Sequence, residues 1–276
     1  MSVRIHHLNC GTLCPLCERL MNGGSWLKRG KLVCHCPLIE ADDGLVLIDS
    51  GLGTRDIDNP SSQLGRAFLS SFKPRLAVEE TAIHQIRELG YDPRDVRHIV
   101  PTHLDLDHIG GLSDFPEASV HICKAELQQI QRPTRRDRIR FRQIQFEHQP
   151  RWVVHEQPDN EWFGFNCTRP MPGLNADILM VPLVGHTKGH VGVAVKQGDK
   201  WLLHCGDAYY HHTQMTTVPK MPLGLKLFEK AVSTYGKSRL DNLARLQRLA
   251  QEHADEIELF CAHDPVELMR YSENVP

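Results

Sequence analysis

The chain has 276 residues, 41% of them hydrophobic, which is enough apolar material for one sizeable core and ordinary for a single α/β domain. Its formal net charge of −2 gives no global attraction for nucleic acid or an anionic membrane surface, so either partner would need a local patch and neither is expected. No apolar run approaches the ~18 residues of a membrane span and "MSVRIHHLNC" has no apolar signal core, so a cytoplasmic protein with its nine cysteines as reduced thiols is expected.

In chain order, the first feature is a crowd of thiols, Cys10, Cys14, Cys17, Cys34 and Cys36. C-P-L-C has zinc or redox spacing but lacks a second C-x-x-C, and buried free thiols are the expectation. The runs "LVCHCPLI" and "LVLIDSG", separated by "EADDG" at 40–44, predict a hairpin of buried strands that ends in Asp49-Ser50-Gly51. Residues 53–77, with Gly, Pro, Ser and mixed charge, predict an exposed loop. A helix over 78–89 follows, with Ala82, Ile83, Ile86 and Leu89 as its apolar stripe and Gly90 as its stop. "RHIV" and "ASVHI" predict strands and "KAELQQIQ" a helix.

Residues 132–177 look less regular, and an insertion or lid is expected over about 125–177. "RPTRRDRIRFR" carries six arginines and one acid and predicts a solvated helical insertion. The aromatics Trp152, Trp162, Phe163 and Phe165 just beyond it suit a lid over an acyl chain or a homodimer contact. The chain then turns β-rich, with "DILMVPLV", "VGVAVK" and "WLLHC", the last two joined by the turn "QGDK". A helix with Ser238 as N-cap and Leu240, Leu243, Leu246 and Leu249 on one stripe precedes a last strand, "IELFC", which ends at Ala262-His263-Asp264. Strands followed by helices in each half, with no internal repeat, predict two sheets packed face to face with helices outside.

The polar residues fall at strand ends. His103, Asp105, Asp107 and His108 follow "HIV", His186 and His190 follow "LMVPLV", Asp207 follows "LLHC", and His263 follows "ELFC". Four separate apolar strands each deliver metal-competent groups at their C-terminal ends. Imidazole mixed with carboxylate suits zinc, manganese or iron, and argues against a thiolate-rich structural zinc. A chain with 17 histidines would show some clusters by chance, but four at strand ends outweigh that reading.

The motifs "LVLIDSG", "THLDLDHIGG", "VGHTKGH", "HCGDAYY" and "CAHDP", in that order over about residues 32–265, resemble the metallo-β-lactamase superfamily of metallohydrolases. The resemblance implies an αββα sandwich with the site at one edge of two mixed sheets. It also implies two divalent metal ions, zinc being the first expectation. Carried over position by position, His103, Asp105 and His186 would bind the first metal and Asp107, His108 and His263 the second, with Asp207 bridging. His190 and Asp49 would orient ligands.

Asp105 departs from the usual pattern, which has histidine there. A carboxylate can still ligate, as a glutamate does at the corresponding place in the flavodiiron branch, and its charge and hardness shift preference from zinc towards manganese or iron. A weakened first site is the competing consequence. The metal pair implies hydrolysis by a bridging hydroxide. The acyl-homoserine-lactone lactonases are similar in placing a tyrosine three positions after the bridging aspartate, a place that Tyr210 fills here. Tyr210 would donate to the oxyanion and Asp107 would pass a proton to the leaving alkoxide, so a small lactone or ester is the expected substrate. The alternatives are a thioester hydrolase of the hydroxyacylglutathione hydrolase kind and a binding or regulatory module that has lost a metal.

Overall fold

The structure is a computed structural model that describes residues 3–156 and 158–272, so the first two residues of the segment read for a signal core lie outside it. One sheet holds six strands in chain order, β1 (Ile5–Leu13), β2 (Leu32–Ala41), β3 (Gly44–Ile48), β4 (Val96–Val100), β5 (Ser119–Cys123) and β6 (Arg151–His155). β1, β2 and β3 pair antiparallel, and β3 to β6 pair parallel. β7 (Asn160–Trp162) and β8 (Phe165–Cys167) form a separate small hairpin. β9 (Ile178–Pro182), β10 (Val191–Gln197), β11 (Lys200–His204) and β12 (Ile257–Phe260) make the second sheet, in the order β12-β11-β10-β9.

The two sheets face each other. Ile39, Val46, Ile48 and Val100 from the first pack with Ile178, Met180, Val193 and Val195 from the second. The outer face of the first sheet is covered by Ala82, Ile86 and Ile130 from its helices. Leu246 and Leu249 of the helix Gly236–Glu252 cover the second. The arrangement is the αββα sandwich, because each strand between two apolar layers must be apolar on both faces and "LVLI" and "VGVAV" are.

Several local expectations are corrected. β1 was not legible, because "IHHLNCGTL" breaks its apolar alternation and carries an irregularity between Asn9 and Thr12; it is held by pairing with β2 at the sheet edge. The expected loop 53–77 contains three short helices, Thr54–Asp58, Pro60–Gln63 and Gly65–Phe72. Their Gly and Pro residues separate the helices rather than abolish them. The expected helix 78–89 begins as a 3-10 turn, Val78–Glu80, and becomes α-helical at Ala82, where Thr81 Oγ1 accepts from His84 N. Ser238 is not the N-cap, since the helix starts at Gly236, after Thr234 N and Tyr235 N have been taken up by Gly185 O at 2.9 and 2.8 Å. The C-terminal helix Pro265–Ser272 was not foreseen.

Within 125–177, β6 extends the main sheet, and Trp162 and Phe165 are buried in the core of the second sheet. They do not line the cavity beside the His/Asp cluster, so they are core residues and not a lid. All nine cysteines are free thiols, with Cys10, Cys34 and Cys36 buried and Cys14 and Cys17 partly so. No helix of the described residues is long and apolar enough to cross a membrane.

Candidate metal centre

β3, β4, β9, β11 and β12 all end at the same edge of the sandwich, and the segments that follow them converge there. Beyond β3, Asp49 takes a positive φ of 54°, a conformation costly for a non-glycine residue. Its carboxylate accounts for the retention of that strain. Oδ1 accepts from Thr102 N at 2.7 Å, and Oδ2 accepts from His108 Nδ1 at 2.8 Å. Burial opposes the Asp49 charge, yet the His108 ring beside it holds the carboxyl below its ordinary value.

The four imidazoles of the cluster share one orientation. His108 Nδ1 donates to Asp49, His263 Nδ1 to Val33 O at 2.7 Å, and His103 Nδ1 to Thr102 Oγ1 at 3.0 Å. His186 Nδ1 lies 3.2 Å from the Tyr210 hydroxyl, which itself donates to Asp207 Oδ2 at 2.6 Å. With the Nδ1 of His103, His108 and His263 engaged away from the cluster and that of His186 on the Tyr210 hydroxyl, each Nε2 faces the cluster.

Asp207 lies between two groups of these nitrogens. Its Oδ2 is 3.3 Å from His186 Nε2 and 3.9 Å from His103 Nε2. Its Oδ1 is 3.1 Å from His263 Nε2 and 3.3 Å from His108 Nε2. The ligand atoms of His103, Asp105, His186 and Asp207 lie within 4.8 Å of one another, as do those of His108, Asp207 and His263. Asp107 reaches the second group through His263, 3.7 Å away, in a cluster that also includes the Cys34 thiol. His190 stands behind Asp207, its Nε2 accepting from Asp207 N at 2.9 Å and its Nδ1 donating to Leu183 O at 3.0 Å. Thus Asp105, Asp107, Tyr210 and the other seven residues singled out in the sequence gather at one place.

A divalent metal pair fits this donor set. His103 Nε2 and Asp207 Oδ1 are buried without a hydrogen bond of acceptable geometry, although imidazole nitrogens stand close to the latter. Both residues belong to the groups whose ligand atoms lie within 4.8 Å of one another, a spacing that a shared cation would satisfy. Burial pushes His103 down to about 3, and it keeps His186 and His190 neutral as well. At His108 and His263 burial is outweighed by the neighbouring carboxylates, Asp49 and Asp207 for the first and Asp207 for the second, so protons would compete with a metal for those rings. Burial raises the Asp107 carboxyl, and burial next to Asp207 keeps the Tyr210 phenol protonated.

Three site residues escaped the sequence reading. Arg140, expected in a solvated insertion, is half-buried at the centre, its side chain 14% exposed. Its Nε and Nη2 both donate to Asp105, the latter at 2.5 Å, and Nη2 also meets His186 Nε2. Nη1 is fixed by His186 O at 3.1 Å and Val232 O at 2.8 Å. Burial opposes the Asp105 charge as well, and it is Arg140 that holds the Asp105 carboxyl far below its usual range. Glu126, fully buried, accepts from Leu104 N at 3.0 Å and Gly189 N at 2.9 Å, so one carboxylate ties together the loops that carry His103 and His190. Gly189 is needed there, since a Cβ would stand 2.3 Å from Glu126 N. Cys34 was noticed only as one of a crowd of thiols. The alternation of the Arg-rich run and the lone Glu126 gave no local signal for these roles.

The sequence profile of the family described as the metallo-beta-lactamase superfamily matches residues 29–151. A "Probable metallo-hydrolase" of Mycobacterium tuberculosis is 42% identical over 267 residues, covering 95% of this chain and 81% of that protein. The N-acyl homoserine lactonase AttM of Rhizobium radiobacter is 25% identical over 280 residues, covering 95% and 94%. Among solved structures, an N-acyl homoserine lactone hydrolase with the product N-hexanoyl-L-homoserine at its catalytic metal center superposes with a TM-score of 0.69 at 18% identity, covering 98% of this chain and 97% of that one. The chain belongs to the metallo-beta-lactamase superfamily.

Proposed function

We propose that this metal-dependent hydrolase is dinuclear and opens a lactone or a related carboxylic ester. The observation that carries the reading is Asp207, whose two oxygens face two separate pairs of inward Nε2 lone pairs at 3.1–3.9 Å. In this reading His103, Asp105 and His186 hold one divalent ion, Asp107, His108 and His263 hold the other, and Asp207 joins them. Bound there, zinc, manganese or iron would supply a Lewis acid for the carbonyl oxygen and a water acidic enough to react as hydroxide near neutral pH.

The chain's own groups supply the rest. Asp49, Thr102 and Val33 O hold the imidazoles in the tautomer that leaves Nε2 free. His190 fixes the Asp207 backbone, and Glu126 fixes the loops on either side. Tyr210 and Asp107 both line the cavity. Tyr210 brings an O–H donor that would leave Asp207 for the charge that develops on the carbonyl oxygen, and Asp107 would take up the proton that the attacking water gives up and pass it to the departing alkoxide as the acyl C–O bond breaks. The lactone part of the reading is supported by the likeness to the R. radiobacter lactonase and by the position of Tyr210.

The test is metal analysis of protein purified without added metal, beside hydrolysis assays on a panel of lactones and thioesters. About two equivalents of metal with lactone turnover is the expected result for a bridged pair. One equivalent or none, with no turnover after zinc, manganese or iron is restored, would overturn the reading. Turnover of thioesters alone would transfer it to the hydroxyacylglutathione hydrolase kind of chemistry.

A further inference from the structure

The cavity beside the cluster has a volume of about 610 Å³ and two kinds of lining. One is apolar and includes Leu13, Leu64, Phe68, Phe72 and Phe228. The other is cationic, with Arg66, Arg136, Arg138, Arg140 and Arg142. Of these five, only Arg140 has a carboxylate partner among the described residues, Asp105. Arg136 donates to the carbonyls of Ala231 and Ser233, and Arg142 Nη2 donates to Ser62 O at 2.8 Å; these partners are neutral and leave the charges uncompensated. Arg142 Nε is buried with no hydrogen-bond partner. Arg66 and Arg138 form no ion pair among the described residues. Besides Asp105, Asp107 and Asp207 of the cluster, the lining includes Asp137, which is engaged by Gln129 at 2.7 Å and by Thr134 N and Oγ1 at 2.9 and 2.8 Å.

Arg66, Arg136 and Arg138 are exposed and Arg142 is half-buried, so four guanidinium groups stand in contact with water at the mouth of one concavity, without a carboxylate partner among the described residues. They line the rim of a recess that also holds the candidate metal cluster, and their summed positive charge favours the approach of an anion to it. The guanidinium fork matches an oxyanion in two-point hydrogen bonding.

We infer that the substrate is an amphiphilic anion: an ester or lactone whose apolar acyl part lies against Phe68, Phe72 and Phe228, and whose carboxylate or phosphate is received by Arg66, Arg138 and Arg142. This rests on the hydrolase reading and narrows it, because a neutral N-acyl lactone leaves the cationic lining without a partner. Hydrolysis of any ester also releases a carboxylate, so the discriminating comparison is between substrates and not between products.

The experiment measures kcat/KM of the metal-loaded enzyme on matched esters and lactones that differ only in a neutral, carboxylate or phosphate terminus, at low and high salt. The expected result is a preference of about tenfold or more for one of the anionic congeners, shrinking as salt rises. The double variant Arg66→Gln/Arg138→Gln, checked for wild-type circular dichroism and metal content, should lose most of that preference through KM. Equal or better turnover of the neutral congener, or a preference that neither salt nor the double variant alters, would overturn the inference. If no congener is hydrolysed, the hydrolase reading fails separately, and calorimetry with an amide analogue bearing the same anionic terminus decides the pocket. Salt-sensitive binding lost in the double variant would uphold the cationic site, and no binding would remove it.

Discussion

Asp105 puts a full negative charge where the motif it resembles has a neutral imidazole, and Arg140 answers it with a half-buried guanidinium. The exchange restores the local charge, but the same guanidinium also meets His186 Nε2, the lone pair proposed for the first metal. Arg140 and an ion therefore compete for one nitrogen. Asp105→Ala is expected to lower metal content and hydrolysis together, because it removes a ligand and frees Arg140 beside His186. Elemental analysis checks it, and unchanged metal content would exclude Asp105 as a ligand. The residues that chemistry alone marks out, His103, His108, His186, Asp207 and His263, were legible because each follows an apolar strand within a few positions. Arg140, Glu126 and Cys34 were not, since their partners lie on distant segments: Arg140 meets Asp105, 35 residues away, and Glu126 meets Gly189, 63 residues away.

Among the elements, the helix Gly236–Glu252 shows how a period predicts burial better than it predicts an end. Leu246 and Leu249 from the predicted stripe are buried against the second sheet, whereas Leu240 is more than half exposed because the stripe turns away from the sheet at the helix start. Leu246→Ala is expected to cost about 2–5 kcal/mol, the range for truncating a fully buried leucine, measurable as a lower urea midpoint. An effect below about 1 kcal/mol would mean that the helix is only loosely docked. The segment 53–77 misled for the opposite reason. Its helices are short and rich in breakers, and they hold together because Leu64, Phe68, Leu69 and Phe72 pack into a cluster with Leu13, Leu32 and Leu225 from distant strands and helices.

For the molecule as a whole, the C-terminal helix locks onto the second sheet through Glu267, which is buried and accepts from Cys261 N at 2.7 Å and from the Tyr209 hydroxyl at 3.0 and 3.1 Å. Burial pushes its carboxyl up to about 7. A raised acid favours the protonated folded state, so its support is full below the ordinary value near 4.5 and is lost as pH rises through about 7. Between about pH 5 and about pH 8 the wild type should therefore lose up to about 3 kcal/mol relative to Glu267→Gln, which cannot titrate. Urea unfolding of both proteins at the two pH values tests this, and parallel profiles would show that Glu267 does not titrate there.

The sequence by itself determined the sandwich, because strands buried on two faces have to be apolar throughout and "LVLI", "VGVAV" and "WLLHC" are. It also determined which His and Asp residues could hold metal, since ligand chemistry belongs to the side chain. Only the tertiary structure decided their relations: the engagement of every Nδ1, the placement of Asp207 between two groups of nitrogens, the guanidinium on Asp105 and the cationic lining of the cavity. Those are properties of distance and burial between segments far apart in the chain. Local pattern carries the free energy of forming an element, whereas the charge and shape of a site come from what the folded chain brings beside it.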